Sequence, residues 1–320
     1  RGVVSTANYE ARKYGIKSGM PISKAWQLCP NAIFLPVNMD LYQKVSDEIM
    51  EIVKKYSSKY EIVSLDEAYL DLTEYSHILE NVRMFGEKVG TEKSYKRVEN
   101  LAKKLKKEIF EKEKLTCTVG IGPNKTIAKL ATEKAKPNGL KVVKPKEVEK
   151  FLDPLDIEDL PGIGPKTAEK LRKIGINKIS ELKKLSREKL KEIFGKVGEK
   201  IWQRARGIDK EPVSPEEVVK SIGKQITFEK DTRNPEIIFE AFEKIIEEVY
   251  QELIKNNFSF KTITVICRFS GFETHTKSKT LQNFTNDLKI LKSEAKKLLL
   301  KFLLGSKKLI RLIGLRIKIC

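Results

Sequence analysis

Residues 207–220, GIDKEPVSPEEVVK, break the apolar pattern of the chain. Two prolines, Pro212 and Pro215, stand among charged residues there. Proline supplies no backbone N–H, so such a stretch suits neither a helix interior nor a central strand. The 320 residues are therefore expected to divide at this segment rather than share one core. Before it, residues 39–143 alternate helix-like and strand-like periodicity, which implies an α/β or α+β sheet domain. Helices are expected at 40–59 and 95–113, and strands at 61–72, 115–122 and 139–143. Asn124 is the expected N-cap of a further helix. Residues 1–38 read as short helices with glycine turns, and 147–210 as all-helical. Residues 74–94 read as an inserted loop or irregular helix. Beyond the break, strands at 221–230, 261–270 and 309–319 alternate with helices at 235–255 and 286–303.

Charge narrows the class. Lys and Arg number 63 against 44 acidic residues, a formal charge of +19, which favours a polyanionic partner, nucleic acid or an anionic membrane. A generically lysine-rich surface is the plainer alternative. Residues 221–320 hold 19 basic and 11 acidic residues, an excess of eight. No apolar run approaches the ~20 residues of a spanning helix, and no signal peptide is seen, so no membrane role and a cytoplasmic location are expected. Cys29, Cys117, Cys267 and Cys320 are scattered, against disulfides and a zinc site. His77 and His275 lie in polar contexts, against histidine-based chemistry.

Four motifs carry candidate chemistry. In EIVSLDEAYLDL (61–72), Asp66 and Glu67 interrupt a strand-like run. Neighbours on a regular strand point to opposite faces, so the pair is expected at the bend of a hairpin with arms 61–65 and 68–72. Carboxylates gathered there suit Mg²⁺, a hard cation that prefers oxygen ligands. A solvated acidic turn is the commoner origin of such a pair. In LPGIGPKTAEKL, Gly162 and Gly164 allow close backbone approach, a helix N-terminus follows, and Lys166 adds charge. The alternative is an ordinary turn between packed helices. Tyr9 and Arg12 lie three residues apart, so one helical face offers a hydroxyl and a guanidinium, although a solvated face has the same pattern. Lys136, just before Pro137, is either a triphosphate contact or a plain surface lysine.

Five segments, in this order, resemble the Y-family translesion DNA polymerases, in particular the archaeal members of the DNA polymerase IV (DinB) group. They are STANYEARKYGIKSGMP, SLDEAYLDL, TCTVGIGPNKTIAKLATEKAKPNGLKV, LPGIGPKTAEKLRKIGI and KSIGKQITFEKDTRN. The resemblance implies an α+β multidomain fold in a right-hand polymerase arrangement. Small fingers would span 1–38 and a catalytic palm sheet 39–143. A helical thumb with a helix-hairpin-helix would span 144–210, a linker 211–220, and an α/β little finger 221–320. It implies template-directed DNA synthesis in damage tolerance by two Mg²⁺ ions, from primer-template DNA and deoxynucleoside triphosphates, by a monomer. Asp66 and Glu67 resemble metal ligands, and Asp71 a structural residue. Thr6, Tyr9, Arg12 and Lys136 resemble nucleotide-phosphate contacts. Gly162, Gly164 and Lys166, with Lys220, Ser221 and Lys224, resemble contacts to the DNA backbone. The family pattern opens with a strand carrying a further metal-binding Asp and an aromatic gate against ribonucleotides. The sequence as given starts downstream of it, so its 320 residues taken literally are expected to be poorly stable and nearly inactive. A sliding clamp is a further partner of the family, although no tail with the short aromatic clamp motif is seen. A non-catalytic DNA-binding remnant is the other reading; the triphosphate residues and acidic pair favour the enzyme, because a pure binder needs neither. A helix-hairpin-helix nuclease or glycosylase finds no support in the sequence.

Overall fold

A computed structural model describes residues 2–73, 92–215 and 219–319. The chain forms two compact units, residues 36–216 and residues 1–35 with 217–320.

In the second of these, two short helices, α1 (Tyr9–Lys13) and α2 (Ile22–Leu28), pack around Val4, Ile16 and Ala25. Its C-terminal part is a four-stranded antiparallel sheet with two helices. The strands are β5 (Ser221–Thr232), β6 (Phe260–Phe269), β7 (Thr274–Thr285) and β8 (Ile310–Ile319), in the order β5-β8-β6-β7. The helices are α11 (Pro235–Lys255) and α12 (Leu288–Gly305). The sequence of β6 alternates Thr262, Thr264 and Arg268 with Ile263, Val265 and Cys267, so one face is apolar and the other polar. The apolar face is covered by Phe242, Ile246 and Val249 of α11 and by Leu291, Leu298 and Leu299 of α12. Strand β7 departs from the expectation of three strands here. Its sequence, THTKSKTLQNFT, is mostly polar and largely exposed, as an edge strand allows, with Leu281 packing against the core.

The other unit begins with α3 (Met39–Lys54), capped by the Asn38 side chain, which accepts from the Leu41 N–H. Strands β1 (Tyr60–Ile62) and β2 (Ala68–Leu70) form one antiparallel pair. After α4 (Glu92–Glu113), β3 (Val119–Ile121) and β4 (Leu140–Val142) form a parallel pair joined by α5 (Lys125–Ala135). Helix α5 crosses β3 so closely that a Cβ at Gly120 would overlap the Ala128 carbonyl oxygen. The strands are shorter than expected: 115–122 shrinks to Val119–Ile121, and helix 40–59 ends at Lys54. The expected insertion at 74–94 falls mostly outside the described residues.

Residues 148–205 are helical, as expected: α6 (Val148–Leu152), α7 (Pro165–Lys173), α8 (Ile179–Leu182), α9 (Arg187–Phe194) and α10 (Lys196–Ala205). Their core is continuous with α5: Ile127, Leu130 and Ala131 belong to one buried cluster with Leu152, Leu171, Leu190 and Ile201. A second cluster joins α3 to α4 through Met50, Val53, Leu105 and Ile109. Among the described residues no helix is long and apolar enough to cross a membrane.

Candidate active site and nucleic-acid interface

The acidic pair sits in a turn. Ile62 pairs with Ala68, and the Val63 N–H donates to the Glu67 carbonyl at 2.9 Å, so residues 63–67 close the hairpin. The buried Ser46 of α3 donates its hydroxyl to the Leu65 carbonyl at 2.6 Å, which ties the turn to the unit's core. The Ser64 hydroxyl donates to Asp66 Oδ1 at 2.7 Å. Lys129 Nζ donates to both carboxylate oxygens of Glu67 at 2.9 Å. One turn back on α5, Lys125 holds Glu61 at 2.8 Å. Spacing on one helix thus sets two ammonium groups against two carboxylates of the hairpin. The sequence reading missed both lysines; their i, i+4 spacing in NKTIAKLATEKAK was the available signal. Asp71, at the end of the hairpin, accepts the buried Ser57 hydroxyl at its backbone carbonyl and the Thr73 N–H at its side chain, and it lines the same cavity as the acidic pair.

A cavity of about 660 Å³ opens beside this turn, lined by Asp66, Glu67, Tyr69, Lys125 and Lys129 and by apolar residues of α3 and α4. Burial, and then the charges of Glu67 and Glu61, push the Tyr69 hydroxyl up to about 12. Among the described residues no three His, Cys, Asp or Glu side chains converge as a complete metal site. The two adjacent carboxylates are nonetheless hard oxygen donors of the kind a divalent cation takes. Lys136 caps the C-terminal end of α5 and bonds Glu133 at 2.7 Å.

The glycine turn leads directly into a helix. Gly164 is the N-cap of α7, Pro165 occupies the first helical position, and the exposed Lys166 follows. Pro165 has no N–H, and the Thr167 and Ala168 N–H groups donate to the Gly164 carbonyl at 3.0 and 2.9 Å. The left-handed residue is Gly162, with φ +96°; Gly164 has φ −86° and open space where a Cβ would stand. The conformation of the turn itself therefore calls for glycine at Gly162 and not at Gly164.

In the other unit, Thr6, Tyr9 and Arg12 are exposed together around α1. Arg12 Nε donates to the Ala7 carbonyl at 2.9 Å, and its guanidinium lies 5.4 Å from the Tyr9 ring centre. Asn8 caps the helix, its Oδ1 accepting from the Ala11 N–H.

The helix-free face of the sheet carries hydroxyls and cations. Register places Ser221, Lys318, Thr262 and Thr280 in one row, and Gly223, Arg316, Thr264 and Ser278 in the next. Thr262 bonds Thr280 at 3.1 Å and Thr264 bonds Ser278 at 2.9 Å, while Arg268 Nε donates to Thr274 at 2.8 Å. Ser221 is on this face, with Lys220 just before the strand; Lys224 points to the opposite side, 3.8 Å from Glu252 of α11. Lys318, Arg316 and Arg268 are the cations the sequence reading missed, because only strand register separates the two faces. Short hydroxyls interspersed with cations present donors to phosphate oxygens along this face.

Three family descriptions match the chain. Residues 1–133 match the impB/mucB/samB family, residues 219–318 its C-terminal domain, and residues 158–209 the DNA polymerase-iota thumb domain. The chain is 42% identical to DNA polymerase IV 2 of Methanosarcina mazei over 314 residues, 98% of this chain and 80% of that protein. It is 40% identical to DNA polymerase IV of Sulfurisphaera tokodaii, covering 98% of this chain and 84% of that one. Among solved structures, a Y-family DNA polymerase chimera of Dbh and Dpo4 is 36% identical, with a TM-score of 0.86 over 99% of this chain and 87% of that one. An insertion ternary complex of Dbh DNA polymerase matches with a TM-score of 0.64 at 36% identity over 99% and 87% of the two chains. These similarities run through the acidic turn, the glycine hairpin and the C-terminal sheet alike, and the chain belongs to the Y-family of DNA polymerases, among the DNA polymerase IV (DinB) proteins.

Proposed function

We propose that the chain is a template-directed DNA polymerase of the translesion type, which extends a primer 3′ end with deoxynucleotides during damage tolerance. The observation that carries the reading is the Asp66–Glu67 pair, held in a hairpin turn anchored through Ser46 and facing a cavity edged by Lys125 and Lys129. A bare surface turn has no need of a buried serine anchor, or of a cavity in which carboxylates and lysines stand together.

In this reading Asp66 and Glu67 would hold two Mg²⁺ ions. When bound, such ions activate the primer 3′-OH and stabilise the leaving pyrophosphate. Thr6, Tyr9, Arg12 and Lys136 hold the phosphates of the incoming nucleotide. Arg12 is suited to this by its bond to Ala7, which fixes the guanidinium beside the Tyr9 ring and reduces the ordering cost of gripping an anion. Lys129, already beside Glu67, adds a cation near the developing charge. The turn at Gly162, Gly164 and Lys166 grips duplex backbone. Ser221, Lys318 and Arg316 hold backbone along the open sheet face, with Lys220 at the strand's start. The division of labour is fingers at 1–38, palm at 39–143, thumb at 144–210, linker at 211–220 and little finger at 221–320. A hydroxyl-rich face and a glycine turn suit backbone rather than base edges, so the grip does not depend on template sequence.

The test is primer extension with Mg²⁺ on an undamaged template and on one with an abasic site. The expected result is incorporation directed by the template base, with extension continuing across the abasic site. Untemplated addition, or no incorporation despite DNA binding, would contradict it.

A further inference from the structure

A polar network joins the glycine turn to the helix that holds the acidic hairpin, and most of its members lie far apart in sequence. Arg204 of α10 donates from Nη1 to the Pro161 carbonyl at 3.1 Å and from Nη2 to Glu211 at 3.3 Å. Its Nε lies 4.0 Å from Asp209 Oδ2. The Asp209 side chain is only 5% exposed. It accepts the Thr126 hydroxyl at 2.7 Å and the Glu211 N–H at 3.1 Å. Beside it, Asn124 donates from Nδ2 to the Gly207 carbonyl at 2.8 Å while its Oδ1 caps α5. Helix α5 in turn carries Lys125 and Lys129, which hold Glu61 and Glu67. The path from the glycine turn to the acidic pair is therefore hydrogen-bonded at nearly every step.

Burying a carboxylate this deeply is costly, and apolar residues of similar size would serve packing as well or better. The same junction already has an apolar core, in which Ile127 and Leu130 of α5 pack with Leu171 and Ile201. What the polar bonds add is direction. A guanidinium gripping a carbonyl and a carboxylate at once fixes the angle and height of the turn, which sliding apolar contacts do not.

We propose that Arg204 and Asp209 are positioning residues, which latch the Pro161–Gly164 turn to the start of α5 and so set the spacing between the duplex-gripping turn and the acidic pair. The inference rests on the reading that this turn grips duplex backbone. DNA bound by both elements would then present its primer end to Asp66 and Glu67 at a fixed register. A latch that shifts by about 1 Å would misplace the reacting end, and misplacement of that size costs up to roughly a hundredfold in rate.

The test compares primer extension by the full chain on duplexes of increasing length, from one too short to reach the turn to one that passes it. Arg204→Lys keeps a charge beside Asp209 but cannot reach Pro161 and Glu211 together. On the long duplex it is expected to lower kcat at saturating DNA roughly ten- to hundredfold. On the short duplex it should match the parent, because a primer end held only near the carboxylates does not sense the turn. Equal loss at every length, as general destabilisation would give, or no loss at any length, would overturn the proposal. Should Arg204→Lys melt below the assay temperature, the isosteric Asp209→Asn is measured in the same series, with the same expected and overturning results. Lys166→Glu, on the turn's own surface, separates the premise from the inference. Its expected effect is weaker binding of long duplexes only. If it leaves long-duplex binding unchanged, the turn does not grip DNA, and the latch falls with that reading.

Discussion

Gly162 and Gly164 look alike in sequence and differ in structure. Gly162 has φ +96°, and a Cβ there would also meet Arg204 Nη1 at 3.3 Å; Gly164 has an ordinary φ and nothing near its missing Cβ. Gly162→Ala is expected to destabilise the protein by ~1–2 kcal/mol, the cost of a left-handed alanine. Gly164→Ala is expected to leave the thermal midpoint unchanged and to weaken DNA binding, because its only close neighbour would be a bound backbone. Thermal melting and a binding titration on the two variants check this, and a lowered midpoint for Gly164→Ala would contradict it. Tyr56 and Tyr69 give a second residue-level expectation. Burial first, and then neighbouring carboxylates, push both hydroxyls up to about 12. The unfolded chain loses these protons near pH 10, the ordinary value. Stability from keeping them is therefore full below pH 10 and is lost as the pH rises towards about 12. Urea midpoints measured across that window should fall, and should fall less in Tyr69→Phe.

At the scale of elements, legibility followed how local the signal was. Helix α11 runs from Pro235 to Lys255 as expected, because Asn234 caps it, proline opens it and an apolar stripe marks its length. The bend at Asp66 and Glu67 was legible because two adjacent acids cannot share one task on a regular strand. Strand β7 was not, because this largely exposed edge strand, from which Leu281 packs against the core, has no apolar–polar alternation to detect. The Arg204–Asp209 network was invisible because Thr126 and Asp209 meet across 83 residues, and only the fold brings them together. The sheet's core offers its own check. Cys267 is fully buried on β6, and burial pushes its thiol up to about 12, so it should not react with thiol reagents near neutral pH until the sheet opens. Labelling in the native state at the rate of the unfolded protein would contradict the burial of this strand.

Over the whole molecule, the excess of 63 basic over 44 acidic residues finds a use only where the fold concentrates it. Much of the surface charge is self-paired, as in Lys292 and Lys296 with Glu243, and such exposed pairs contribute little to stability. On the open sheet face Arg316 and Lys318 stand among hydroxyls instead. Replacing both with Gln is expected to flatten the slope of log affinity against log salt by nearly one for each phosphate contact removed. An unchanged slope would place the phosphate contacts elsewhere. Phosphoryl transfer is expected to take place at Asp66 and Glu67. Single-turnover insertion of one correct nucleotide, with Mg²⁺ and saturating primer-template, tests it most directly when Asp66→Ala is compared with the parent. Loss of a metal-holding carboxylate should cost several kcal/mol of barrier, each ~1.4 kcal/mol being tenfold, so a fall of roughly a thousandfold or more is predicted. Affinity for DNA should stay within a few-fold, because the grip lies elsewhere. An insertion rate near that of the parent would show that the acidic turn is not where the chemistry happens.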